Sequence, residues 1–170
     1  LLADDVIVIA QKIISKAEDR YLDLRSVTPT EEAIRLGEEV DKDPRKVQAI
    51  LDESNEIVRQ RPGVLIVEQR SGFVQANAGI DQSNIRLGDG DPDDLCLLLP
   101  IDSDASAQGL HTTIRERHNL EVGIIINDSL GRAWRMGTLG LAIGVAGFTA
   151  LEAYIGGHDI LGRAFLVTQV

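Results

Sequence analysis

Aromatic residues are scarce in this chain: three Phe, two Tyr and one Trp among 170 residues. A core without rings has to be aliphatic, and hydrophobic residues at 44% supply enough Ile, Leu, Val and Ala for one. A single cysteine excludes an internal disulfide. Cys96 sits inside the apolar run Leu95-Cys96-Leu97-Leu98-Leu99, where a small buried hydrophobe is a plainer role than a reactive thiol. That usage fits a reducing cytoplasm. Positive charge is also short: 17 Lys and Arg face 27 Asp and Glu, a formal net charge of -10. This balance opposes nucleic-acid binding, which needs a basic face to displace counterions, and docking on an anionic membrane surface. No apolar run reaches the length of a bilayer span, and no signal peptide is visible. The three histidines show no metal-ligand spacing.

What is present reads as mixed α and β. Val6 to Ala10 has the pattern of a short buried strand, followed by a mixed stretch over 11–17. Residues 21–24 alternate like an edge strand. Thr28 or Thr30 can cap a helix with Glu31 and Glu32 in its first turn, ending near Asp41. Asp43-Pro44 starts another, with Val47, Ile50, Leu51, Ser54, Ile57 and Val58 at helical spacing and an end before Arg61-Pro62-Gly63. Strands over 64–68 and 73–76 flank the turn Arg70-Ser71-Gly72 as a hairpin. Polar loops cover 77–84 and 88–94. A buried strand spans 95–99, and Asp102 or Ser103 caps a helix to about His118. A second buried strand spans 122–126, with Asn127-Asp128-Ser129 at its carboxyl end. The segment 131–147 is rich in glycine, and 165–170 is strand-like. Without a clean βαβ rhythm, the fold class is α+β: mixed sheets with flanking helices. The apolar ends imply that residues 1–170 form a single domain lacking its natural N- and C-terminal segments.

Two segments carry hard oxygen donors. Asp128 and Ser129 set a carboxylate beside a hydroxyl, a pair that suits magnesium or manganese. Arg132 and Arg135 follow, and two guanidinium groups beside a metal suit a polyphosphate or carboxylate whose charge must be spread in a transition state. Asp81, in the loop Asn77-Ala78-Gly79-Ile80-Asp81-Gln82-Ser83-Asn84, can share such a metal while amides grip phosphate or ribose. Lys12 and Lys16 share a face if their stretch is helical and can bind phosphate. Spacing alone leaves ordinary readings open, and favours them: a strand-to-turn junction at 127–131, an Asx-turn at Asp81 and solvated lysines. Gly144-Val145-Ala146-Gly147-Phe148-Thr149 lacks the Gly-Lys-Ser/Thr ending of a phosphate loop.

Several ordered blocks together resemble one family. They are Val8-Ile9-Ala10-Gln11-Lys12-Ile13-Ile14-Ser15-Lys16-Ala17-Glu18; Asp43-Pro44-Arg45 with Leu51-Asp52-Glu53-Ser54; and Gly72-Phe73-Val74-Gln75-Ala76-Asn77-Ala78-Gly79-Ile80-Asp81-Gln82-Ser83-Asn84. Leu98-Leu99-Pro100 with Asp102, Asp128-Ser129-Leu130-Gly131-Arg132-Ala133-Trp134-Arg135 and Ala142-Ile143-Gly144-Val145-Ala146-Gly147 follow in order. The blocks resemble coenzyme F420-0:L-glutamate ligases, also called F420-0:gamma-glutamyl ligases. The resemblance implies that family's α+β fold, an intertwined homodimer, and a GTP-dependent reaction with two Mn2+ or Mg2+ per site and K+ assisting. It implies that the carboxylate of the coenzyme precursor F420-0 is activated as an acyl phosphate and captured by the amine of L-glutamate. Carried over by motif, Asp81 and Asp128 hold one metal and Ser129, where the family usually has Thr, helps hold a second. Asn84 contacts GTP, and Gln11, Lys12 and Lys16 line the nucleotide site. Two departures bear on this. After Arg135 the family often has Asn-Gly-Gln-Thr-Asp, and here stands Met136-Gly137-Thr138-Leu139-Gly140. The family also has a glycine-bearing nucleotide loop before the first strand and a metal-binding Gln or Glu after the last, neither found among these residues. Two alternatives follow: a paralogous amide-forming ligase with another carboxylate substrate, and a non-catalytic fragment that binds nucleotide or a partner.

Overall fold

A computed structural model of the chain describes residues 1–86, 91–131 and 136–167. The elements run β1 (Val6–Ala10), α1 (Gln11–Ala17), β2 (Tyr21–Asp23), α2 (Glu31–Val40), α3 (Pro44–Asp52), β3 (Ser54–Arg61), β4 (Val64–Gln69), β5 (Val74–Ala76), β6 (Leu95–Leu97), α4 (Ser103–His118), β7 (Gly123–Gly131) and β8 (Thr138–Ala146). Among the described residues three small sheets form, in the orders β1-β7-β8, β2-β6 and β3-β4-β5. β1 runs parallel to β7, and the other pairs are antiparallel. The α+β class follows directly.

Local chemistry fixes the helices. Thr30 Oγ1 accepts from the Ala33 N–H, and acids fill the first turn of α2. Asp41 closes that helix in the left-handed region at φ 54°, where Lys42 N–H returns to the Gly37 carbonyl. Asp43 caps α3 with Pro44 in its first turn, and Asp102 caps α4 through the Ala105 N–H. α3 stops at Asp52, against the helix expected to run on to 60. Ser54 Oγ donates to the Ile50 carbonyl at the helix end, and Ser54 to Arg61 instead pair with β4 around a Pro62-Gly63 turn. The helical spacing of Ile57 and Val58 yields there to cross-strand pairing, which β-branched residues favour.

Three more elements differ from their sequence patterns. β1 is an edge strand whose Val6 and Val8 are exposed, so only one of its faces is covered. β7 does not end at Ile126: it continues to Gly131, paired with β8, so Asp128 and Ser129 lie within a strand. Residues 165–167 form no strand, and 168–170 lie outside the described residues. Among the described residues, no helix is long and apolar enough to cross a membrane.

Two aliphatic cores result. One gathers Leu24, Leu36, Val40, Val47, Ile50, Leu65, Val67, Ile80 and Cys96 beneath α2 and α3. The other gathers Ile14, Leu99, Ala107, Val122, Ile124, Ile126 and Ile143 between α4 and the β1-β7-β8 sheet. α4 lies so close on β8 that a Cβ added at Gly144 would stand 2.3 Å from the Ser103 carbonyl oxygen. Asp81 follows Ile80 of the first core, and Asp128 lies two residues beyond Ile126 of the second. The junction of the cores therefore brings two distant carboxylates together.

Candidate metal and nucleotide site

A cavity of about 170 Å³ opens at this junction, lined by Gln11, Gln75, Asp81, Asp128 and Ser129 together with the backbone around Gly79 and Gly131. Each polar group arrives there for a local reason. Gln11 is the first residue of α1 and is buried, and its Oε1 accepts a hydrogen bond from Ser15 Oγ at 3.0 Å. That bond fixes the amide's carbonyl end toward the helix. Lys12 reaches across to Asp81 Oδ2 at 2.6 Å and donates to the Ser83 carbonyl at 2.7 Å and its hydroxyl at 3.1 Å. One turn on, Lys16 donates to the Asn84 carbonyl at 2.9 Å. The two lysines share a helix face, and both hold the 81–84 loop.

Asp81 is anchored from both sides. Its backbone exchanges hydrogen bonds with Leu97 of β6, and its Oδ1 accepts from the Ser83 N–H and Oγ, an Asx-turn in a half-buried setting. Burial pushes its carboxyl upward, but Lys12 and the two Ser83 donors together outweigh this and hold it below the usual carboxylate range. Asp128 has the opposite balance. Burial raises its pKa, the Ser129 N–H lowers it, and the negative charge of Asp81 raises it further. The cavity thus holds two carboxylates and is short of positive charge.

Those residues fit a small divalent cation. Among the described residues no group of three or more His, Cys, Asp or Glu converges. The donors at hand are two carboxylates, hard oxygen, with Ser129 lining the cavity as the next residue along β7. Magnesium and manganese accept such a set, because they keep waters and take substrate phosphate oxygens for the rest of the shell. Arg132 and Arg135, expected as anion clamps, lie outside the described residues. Asp81 sits in a turn, whereas Asp128 and Ser129, expected at the end of a strand, stand within the ladder of β7, opposite Leu141 and Gly140.

Two features escaped the sequence reading. Lys12 is paired with a carboxylate of the candidate metal site. Gln75 is the second. It is buried in β5 while its neighbour Val74 is exposed, and its Nε2 has no hydrogen-bond partner. A buried donor left without a partner costs roughly 1–3 kcal/mol. The inverted alternation, apolar out and polar in, is the signal that marks it. Beyond β5 the chain takes three successive left-handed residues, Asn77 at φ 54°, Ala78 at 54° and Gly79 at 73°. Asn77 Oδ1 is also buried without a partner. A Cβ at Gly79 would meet Gln75 Nε2 at 2.7 Å and Leu99 Cδ1 at 2.8 Å, so a side chain there would have to displace both from a left-handed backbone position that favours glycine.

The family model for F420-0:Gamma-glutamyl ligase matches residues 1–170. The chain belongs to that family. A coenzyme F420:L-glutamate ligase of Methanothermobacter thermautotrophicus is 42% identical over 170 residues, covering 100% of this chain and 65% of the relative. One from Methanocaldococcus jannaschii is 42% identical over 166 residues, covering 98% of the chain and 64% of the relative. One from Haloarcula marismortui is 39% identical over 171 residues, covering 97% and 64%. The chain therefore spans just under two thirds of the length of these curated relatives. The cavity falls between two of the blocks that carried the resemblance, those around Asp81 and Asp128.

Proposed function

We propose that the protein to which this chain belongs is a GTP-dependent, divalent-metal-dependent ligase that joins L-glutamate to coenzyme F420-0. The observation that carries this reading is the meeting of Asp81 and Asp128 in one cavity, with family membership supplying the substrates. The relatives are named for ligation of L-glutamate to coenzyme F420. In this reading Asp81 and Asp128 hold one Mn2+ or Mg2+, Ser129 contributes to a second, and Lys12, Lys16, Gln11 and Asn84 border the nucleotide. Bound there, the cation would supply charge neutralisation for the transferring phosphoryl group. An acceptor carboxylate oxygen attacks the γ-phosphorus of GTP, GDP leaves, and an acyl phosphate results. The amine of L-glutamate then attacks the acyl carbon, loses a proton and expels phosphate, leaving an amide. In this reading Lys12 and Lys16, and Arg132 and Arg135 by their place in the motif, would orient anionic groups through these steps. K+ assists as the family resemblance implies.

Homodimerisation belongs to the same reading. Residues 148–167 leave Leu151, Ile160, Leu161 and Leu166 more than two thirds exposed, and a second copy would bury them. The setting for all of this is cytoplasmic.

A second reading has a specific observation behind it. Leu139 and Gly140 stand opposite Leu130 and Ser129 on β8, where the pattern implied by the family resemblance is polar. A strand apolar at this place favours a paralogue that ligates a different carboxylate.

Incubation of the full-length protein with GTP, Mn2+, L-glutamate and F420-0, followed by mass spectrometry, tests both. Mass gains in glutamate units support the first reading. GTP turnover without product supports the paralogue, and no nucleotide binding by calorimetry leaves a partner-binding role. Asp128→Ala should abolish metal-dependent turnover with the fold intact, and full activity in that variant would sink the assignment.

A further inference from the structure

We propose that Gln75 and Gln11 form a pair of neutral amide donors that grips an anionic oxygen of the substrate bound beside Asp81 and Asp128. This rests on the ligase reading of the cavity and adds residues and a role to it. Both glutamines are 6% exposed, and both line the cavity. Ser15 holds the carbonyl end of Gln11, which leaves its NH2 as the uncommitted end. Gln75 Nε2 is buried and unpartnered. Buried amides normally find partners in their own protein, so a donor left without one beside a polar cavity points to a partner that arrives with the ligand. Its position is imposed: β5 fixes the Gln75 backbone opposite Val67, and the left-handed turn leaves no room at Gly79 for a side chain that would displace the amide.

The chemistry of the cavity selects the ligand class. The carboxylates repel a bare anion and attract a divalent cation. An oxygen anion enters in company with that cation, and the donors on its other side then have to be neutral or positive. Carboxamides grip such an oxygen without competing with the cation for Asp81 or Asp128. Two substrate sources share this chemistry: a phosphoryl oxygen of the nucleotide and a carboxylate oxygen of the amino acid or acceptor.

The test is Gln75→Leu in the full-length protein, a change close in volume that deletes the buried donor. Melting temperature is measured without ligand, with Mn2+ alone, with Mn2+ and GTP, and with Mn2+ and L-glutamate or F420-0, and each affinity is taken from the titration. The ligand-free variant should melt at the same temperature or higher, and the Mn2+ affinity should be unchanged. One oxyanion arm should weaken by about tenfold or more, the scale of a hydrogen bond to a charged acceptor. Weakening of the GTP arm assigns the phosphoryl oxygen, and weakening of the glutamate or F420-0 arm assigns the carboxylate. A drop of several degrees in the ligand-free variant, or oxyanion affinities all unchanged, overturns the proposal. If Gln75→Leu does not fold, Gln75→Glu serves: it should strengthen Mn2+ binding and weaken the oxyanion arm, and the reverse overturns the proposal. Normal ligation with unaltered affinities in the variant removes the clamp and spares the ligase reading. Oxyanion binding lost in the variant, in a parent that forms no glutamyl product, spares the clamp and removes the reaction.

Discussion

Replacing Lys12 by Met leaves most of the α1 packing in place and removes one ammonium from the most acidic point of the cavity. That ammonium stands 2.6 Å from Asp81 Oδ2 and also serves two Ser83 oxygens. Its side chain is 23% exposed and that of Asp81 27%, so the pair lies between a solvated ion pair and a sealed one. Exposed pairs contribute ~0–1 kcal/mol and breaking buried ones costs ~3–5, which places this loss at about 1–2 kcal/mol. At roughly 2–4 °C per kcal/mol for a chain of this size, the variant should melt ~2–8 °C lower at neutral pH without metal. The pH dependence has a definite sign. Lys12 and Ser83 hold the Asp81 pKa below its ordinary value, so this stabilisation is present above the unfolded carboxylate pKa near 3.8 and is lost as pH falls through the folded one. Lys12→Met should narrow that acid-dependent loss, and the two melting curves should converge at low pH. The same variant should bind Mn2+ more tightly, because a competing cation has left Asp81. Calorimetric titration with MnCl2, together with melting from pH 3 to 8, checks all three effects. Equal melting temperatures across that range, or weaker Mn2+ binding, would refute the reasoning.

Asp128 should show the opposite pH behaviour. Its folded pKa is raised by burial and by Asp81, so its ionisation opposes folding above that pKa, and the penalty fades as pH falls toward the unfolded value. Asp128→Asn keeps an acceptor for the Ser129 N–H and should melt higher than the parent at pH 7 without metal, while Mn2+ no longer stabilises it. Differential scanning fluorimetry with and without MnCl2 reads both effects. Gly144→Ala should destabilise by about 3 kcal/mol or more, because the new methyl collides with the backbone of α4 rather than with a movable side chain. Urea denaturation measures it, and a loss below 1 kcal/mol would show that α4 can slide.

Elements whose causes are local were legible in the sequence. Thr30, Asp43 and Asp102 each place an oxygen where a helix begins, and those helices begin there. β3 was not legible, because the force that makes Ser54 to Arg61 extended comes from β4, beyond the turn. β7 was read too short for a related reason: Asp128, Ser129 and Gly131 are turn residues by composition, and pairing with β8 holds them in a strand. The site was legible in parts. Asp81 and Asp128 were chosen for their chemistry and by resemblance, and they do line one cavity. Lys12 as the partner of Asp81 depends on how α1 lies against the 81–84 loop, which no pattern along the chain encodes. Gln75 left a trace in the inverted alternation beside Val74, too slight to read without knowing which face of β5 is covered.

The two lysines have a mechanical consequence. Lys12 and Lys16 clip successive carbonyls of the 83–84 segment to a helix of only seven residues, which follows directly on an edge strand. The acidic wall of the cavity is therefore carried by α1 as much as by its own stretch of chain. The outer face of that helix leaves Ile13 59% exposed, while Ile14 beside it belongs to the second core. Asp128 is joined to the same helix by another route, since Ala10, the residue before α1, pairs with Asn127 of β7. The two carboxylates are thereby held by one scaffold: α1 grips the loop of Asp81 while the β1–β7 ladder from which α1 springs carries Asp128.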